Sequence, residues 1–111
     1  MDSSQTFAAI ASWAKRIPLI KAVHIFGSRA QGNHRPDSDL DVAIELDTTA
    51  IHGSDESGGV ATWMFESGKW PGELAALVGL DVDLQQLIDE TTTPVIATAV
   101  KTHGWQIYAK T

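Results

Sequence analysis

The sequence predicts an α/β (α+β) fold, and three observations carry the prediction. Residues Asp39 to Leu46 alternate, with Leu40, Val42, Ile44 and Leu46 on one parity and Asp39, Asp41, Ala43 and Glu45 on the other, as in a half-buried strand. Phe7, Ile10, Ala11, Ala14 and Ile17 recur instead at helical spacing. Proline and glycine punctuate the segments, at Pro18, Gly27, Gly79, Pro94 and Gly104. With 111 residues, 43% of them hydrophobic, the expectation is a single domain, 1–111, with one core and no separate substrate-binding domain.

Taken in order, residues 3–17 form an amphipathic helix with Asp2, Ser3 or Ser4 as N-cap and Pro18 as its stop. Lys21 to Phe26, KAVHIF, has the β-branched and aromatic content of a buried strand, and Gly27 ends it at a sharp turn. Ser28 to Gln31 make a short helical turn, after which Gly32, Asn33 and Pro36 return the chain to the strand at Asp39. The segment DTTAIHGSDESGG, 47–59, is expected to be a mobile loop, either a lid over the site or an exposed connector. Val60 to Val78 is helical but broken near GKWPG, with Trp63, Met64, Phe65 and Trp70 as core or packing residues; an exposed subset would mark a protein interface. Gly79 ends that helix, and Asp81 to Leu87 reads as a third strand with Val82 and Leu84 inward. Thr93 caps a last helix that starts at Pro94 and stops at Gly104, and Trp105 to Tyr108 reads as a short edge strand.

Composition removes several function classes. A formal net charge of -6, from 14 acidic and 8 basic residues, argues against a dedicated nucleic-acid surface, which needs a basic face. The chain has no cysteine, so disulfide and thiolate chemistry are excluded. No stretch has the apolar length of a membrane span, and MDSSQTFAAIASW lacks the basic and apolar regions of a signal peptide, so the expected location is cytoplasmic. His24, His34, His52 and His103 are scattered without metal-ligand spacing and are read as structural or exposed, which argues against zinc.

The chemistry concentrates between Phe26 and Leu46. Asp39 and Asp41, two apart on a strand, project from one face about 6.5 to 7 Å apart, an arrangement suited to hard cations such as Mg²⁺. Upstream, strand, Gly27–Ser28 turn and short helix make a phosphate cradle: unsatisfied backbone N–H groups, a glycine that lets phosphate approach, a hydroxyl donor, and Arg29 to neutralise charge. Either half alone is ordinary, a wet strand face or a capped turn. Gly27 and Ser28, a gap of ten residues, then Asp39 and Asp41 is a combination that chance would produce in roughly one chain in a thousand of this length. If the third strand lies beside the second, Asp83 completes a trio of carboxylates.

FGSRAQG followed by SDLDVAIEL, with the later VDL at 82–84, resembles the nucleotidyltransferases of the DNA polymerase beta superfamily. More narrowly, it resembles the minimal nucleotidyltransferases, or MNT proteins, whose genes commonly accompany HEPN partners in prokaryotes. The strong match covers residues 23–46; agreement elsewhere is weaker but spans nearly the whole chain. Gln31 departs from the arginine of FGSRARG found in many relatives, which removes one phosphate or partner contact.

This resemblance implies a nucleotidyltransferase fold, a mixed sheet of about three or four strands packed with helices. It implies Gly27 and Ser28 at the triphosphate, Asp39 and Asp41 as metal ligands, and Asp83 as third carboxylate, with Asp81 its competitor. Two Mg²⁺ ions about 3.5 to 4 Å apart would clamp the attacking and leaving oxygens, with ATP as nucleotide substrate. The implied reaction places AMP on a hydroxyl of a HEPN toxin, making the chain an antitoxin; the short chain also favours an acceptor brought by another molecule. Two alternatives stand beside it: a non-catalytic module that neutralises its partner by contact, and a small-molecule nucleotidyltransferase completed by dimerisation.

Overall fold

The computed structural model of the chain describes residues 3–33, 35–50 and 59–110. The first helix, α1 (Ser3–Lys15), buries Thr6, Ile10, Trp13 and Ala14 along one stripe. It stops short of Ile17 because the N–H groups of Arg16 and Ile17 turn back three residues, to the carbonyls of Trp13 and Ala14, ahead of Pro18. Strand β1 (Ile20–Phe26) follows, then α2 (Gly27–Gln31) and β2 (Leu40–Leu46). Beyond a 3-10 turn at Thr48–Ala50 the chain resumes with α3 (Val60–Glu66), a second 3-10 turn at Ser67–Lys69, and α4 (Trp70–Val78), the break expected near GKWPG. Strand β3 (Val82–Gln86), helix α5 (Pro94–His103) and strand β4 (Trp105–Ala109) complete it.

Among the described residues the strands form one sheet of order β3-β2-β1-β4. β1 runs antiparallel to β2 and β4, whereas β2 and β3 are parallel, so the sheet is mixed and β4 is an edge, as expected. A parallel pair needs a long crossover, and α3 with α4 supplies it. Strand direction then brings the C-terminal end of β1 and the N-terminal ends of β2, β3 and β4 to one end of the sheet.

One face of the sheet carries the main core. Val23 and Ile25 of β1 and Leu40, Val42, Ile44 and Leu46 of β2 pack with Ile10 and Trp13 of α1 and Trp70, Leu74 and Val78 of α4. Ile20 joins this face although its parity is wrong for it. The register passes from Ile20 opposite Leu46 to Ala22 opposite Glu45, which leaves Lys21 as the extra residue of a bulge. Trp70 is the hub of the helix layer: Trp13 and Trp63 meet it edge-on at centroid distances of 5.9 and 5.7 Å, and the Trp13 indole N–H donates to Glu73 Oε1 at 3.1 Å.

The opposite face is not simply wet. Ala22, His24 and Phe26 of β1 and Ala43 of β2 are buried, and α5 packs against β1 with Ala97 inward. Half-buried Glu45 bonds His24 Nε2 at 2.9 Å, which satisfies the buried ring.

One packing expectation needs correction, and one expected cap is met in position but not in its hydrogen bond. Trp63 and Trp70 pack as expected, but Met64 and Phe65 are 76% and 89% exposed. Residues 64 and 65 lie about 100° and 200° further round the helix than Trp63, so the face that meets Trp70 turns them away. Thr93 does stand at the N-cap of α5 but forms no capping bond; its hydroxyl accepts from Ile88 N–H and donates to the Asp89 carbonyl, both at 3.0 Å. No helix of the described residues is long and apolar enough to cross a membrane.

Candidate active site

The site begins where β1 ends. Phe26 is still extended, and Gly27 then takes φ +75°, a left-handed conformation that side chains rarely adopt. A Cβ there would overlap the Asp41 carboxylate, with Asp41 Cγ only 2.8 Å away. Glycine is therefore required twice, by its backbone and by its neighbour. Ser28 follows, half-buried, on the first turn of α2, and its carbonyl accepts Asn33 N–H at 3.2 Å. Gly32, also left-handed at φ +76°, ends the helix.

The sequence motif is physically closed by Arg29. Its Nε donates to the Ser38 carbonyl at 2.9 Å and its Nη2 to the Pro36 carbonyl at 3.2 Å. Arg29 thus braces the segment that delivers Asp39, a use that the sequence expectation of charge neutralisation did not include. Gln31 Nε2 donates to the Gly27 carbonyl at 3.4 Å.

Asp41, the second residue of β2, is level with Phe26 on one side and with Asp83 on the other. The adjacency needed for a carboxylate cluster is thereby met. Asp39 lies one residue ahead of the strand and is exposed, as is Asp83, whereas Asp41 is half-buried. Burial holds the Asp41 carboxyl above its ordinary value, reinforced by the charges of Asp83 and Asp39 and by a hydrogen bond with Asp83. Gln85 Nε2 steadies Asp83 by donating to its Oδ1 at 3.0 Å. Asp81 takes a different part: its carbonyl accepts Leu40 N–H at 2.8 Å, and its side chain is absent from the groups that perturb Asp41.

These carboxylates stand as a close pair with Asp39 within electrostatic reach; among the described residues no three His, Cys, Asp or Glu side chains form a ready metal-binding group. Sequence reasoning missed one neighbour. His103, at the end of α5, accepts the Gly27 N–H on its Nε2 at 3.0 Å. No local signal announced this, because the partners are 76 residues apart and meet only through packing of α5 on β1 and α2.

The loop expected over 47–59, as lid or exposed connector, falls largely on residues 51–58, outside the described residues. Its described anchors are remote from the carboxylates: Asp47 follows β2 at its far end, and Gly59 sits against Leu46 and Gln86. A cleft of about 440 Å³ lies at that far end too, lined by Lys21, Glu45, Asp47, Thr49, Gln86 and Lys110 among others.

The family model described as polymerase beta, nucleotidyltransferase matches residues 8–111. The chain belongs to this nucleotidyltransferase family. No curated protein matches it significantly. Among solved structures, this nucleotidyltransferase is similar to a chain of a toxin–antitoxin complex with AMP-PNP, at 26% identity and TM-score 0.63, covering 94% of this chain and 73% of that one. It also resembles a chain of the Shewanella oneidensis complex of tri-AMPylated HEPN toxin with MNT antitoxin, at 22% identity and TM-score 0.58, covering 96% and 72%. A chain of an MntA–HepT toxin–antitoxin complex matches at 22% identity and TM-score 0.59, covering 97% and 74%. The last two, at their low identities, speak for the nucleotidyltransferase fold.

Proposed function

We propose that this chain, a single cytoplasmic domain, transfers AMP from ATP to a hydroxyl of a HEPN-type toxin and thereby acts as its antitoxin. The observation that carries the reading is the contact between two halves of one motif: the Gly27 turn is packed so tightly on Asp41 that a methyl group would displace the carboxylate. A phosphate held by the turn would therefore lie beside the carboxylates. Similarity to structures whose partners are a HEPN toxin, AMP-PNP and an AMPylated toxin supports the nucleotide and the acceptor.

In this reading Gly27, Ser28 and the α2 turn orient the phosphates, and Arg29 positions Asp39 through the loop that it braces. Asp39, Asp41 and Asp83 would hold Mg²⁺. Their donors are all oxygen, and each charge bearing on Asp41 is another carboxylate; burial first and these charges second raise its pKa, and a hard cation would offset both. Bound Mg²⁺, as two ions, supplies Lewis-acid neutralisation of phosphoryl charge. Asp83 accepts the proton of the attacking hydroxyl. That oxygen bonds the α-phosphorus as the bond to the bridging oxygen breaks and pyrophosphate leaves.

The test incubates the chain with labelled ATP, Mg²⁺ and the product of the adjacent gene. Label on that partner, lost in Asp39→Ala and Asp41→Ala, is the expected result. Neutralisation of the partner that survives both substitutions, with no label transferred, would replace catalysis by inhibition through contact.

A further inference from the structure

His103 ties up the very donor that the phosphate-binding turn is expected to offer. Its Nε2 can accept the Gly27 N–H only as a neutral imidazole with the proton on Nδ1. The ring is placed by the last turn of α5, and the backbone beyond it is tight: a Cβ on Gly104 would meet the Val100 carbonyl oxygen at 2.6 Å and Cα at 2.7 Å. One residue later, the Trp105 indole N–H donates to the Ala30 carbonyl at 3.0 Å. Residues 103 and 105 therefore hold α2 at both ends, by its first N–H and by a carbonyl of its last turn.

Resting on the phosphate role of Gly27, we propose that His103 is a latch on the nucleotide site, released when a phosphate oxygen takes the Gly27 N–H in its place. An ionised phosphate oxygen is the stronger acceptor, since charge-assisted bonds are about twice as strong as neutral ones. The oxygen must occupy the space in front of the N–H where Nε2 now stands, so the ring has to move as phosphate arrives. Release frees the N-terminal hold on α2 and leaves the Trp105 hold in place. Nucleotide binding is thus coupled to the junction of α5 and β4, on the opposite side of β1 from the carboxylates.

The test measures ATP and adenosine binding by calorimetry in the wild type, His103→Ala and His103→Gln. Removing a competing neutral hydrogen bond should tighten ATP binding about threefold to tenfold in His103→Ala. Adenosine binding should not change, because adenosine has no phosphate to claim the donor. Glutamine, whose Oε1 can accept the same N–H, should return affinity toward wild type, a pattern that mere loosening of α5 would not produce. In ¹⁵N spectra, ATP should shift the Gly27 amide and the His103 imidazole nitrogens together. ATP affinity in His103→Ala equal to or weaker than wild type would overturn the latch while leaving the phosphate site intact. Failure of the wild type itself to bind ATP would overturn both.

Discussion

Replacing Gly27 by alanine should damage stability and activity together, and a second glycine provides the control. Gly27 and Gly32 lie at either end of α2 with nearly the same φ, +75° and +76°. A non-glycine residue in this region loses about 1 to 2 kcal/mol, offset by about 0.4 to 1 kcal/mol from a less flexible unfolded chain. At Gly32 nothing lies within 4 Å of an added Cβ, so Gly32→Ala should lose only this net amount, about 1 kcal/mol. At Gly27 the methyl group must also push the Asp41 carboxylate off its rotamer, adding about 0.5 to 1.5 kcal/mol. The melting temperature should then fall by about 4 °C for Gly32→Ala and about 6 to 10 °C for Gly27→Ala, followed by circular dichroism. In the proposed reaction activity separates them more sharply, because displacing a catalytic group by about 1 Å costs on the order of a hundredfold in rate. Labelled-ATP transfer should persist in Gly32→Ala and drop by about that factor in Gly27→Ala. A Gly27→Ala protein as stable and as active as Gly32→Ala would refute the steric coupling of turn and carboxylate.

Charge yields two further outcomes. The raised pKa of Asp41 means that the folded, metal-free chain holds this proton more tightly than the unfolded chain. Stability from this group is therefore complete below the ordinary 3.8 and lost as pH rises through the raised value; Asp41→Asn should abolish that loss, melt higher than wild type at neutral pH, and gain less from added Mg²⁺. Asp47 behaves oppositely. Hydrogen bonds from Lys110 and Thr49 lower its pKa to about 2, so its contribution is present above 3.8 and disappears as pH falls toward 2; Lys110→Met should flatten this limb of an acid-unfolding curve.

Local physics made much of the fold legible. The alternation of Leu40 to Leu46 marks the core face of β2, Pro71 and Pro94 stand in the first turns of α4 and α5, and Gly79 ends α4 in a left-handed conformation, all readable within a few residues. The Gly27, Ser28, Asp39 and Asp41 spacing was legible for the same reason. What escaped depends on distant packing. Ile20 faces the core only because Lys21 bulges, and Met64 and Phe65 stay outside because the face of α3 that meets Trp70 is the one carrying Trp63. The level pairing of Asp41 with Asp83 could be stated beforehand only as a condition, since strand neighbours are chosen by the whole sheet. His103 carried no signal at all, because a lone histidine at a helix end reveals nothing until the turn that it touches is in place.

The directions of the strands have a practical consequence. The glycine turn, the carboxylates and His103 gather at one pole of the sheet, while the opposite pole is a mechanical seam where Lys110 Nζ bonds both the Pro18 carbonyl and Asp47 at 2.7 Å. Chain that departs after Leu46 and returns at Gly59 does so from the seam, where changes of length need not shift the carboxylates. A probe or surface tether attached around Thr48 and Thr49, both exposed, would therefore hold the molecule by the end remote from the carboxylates and leave the glycine turn unobstructed.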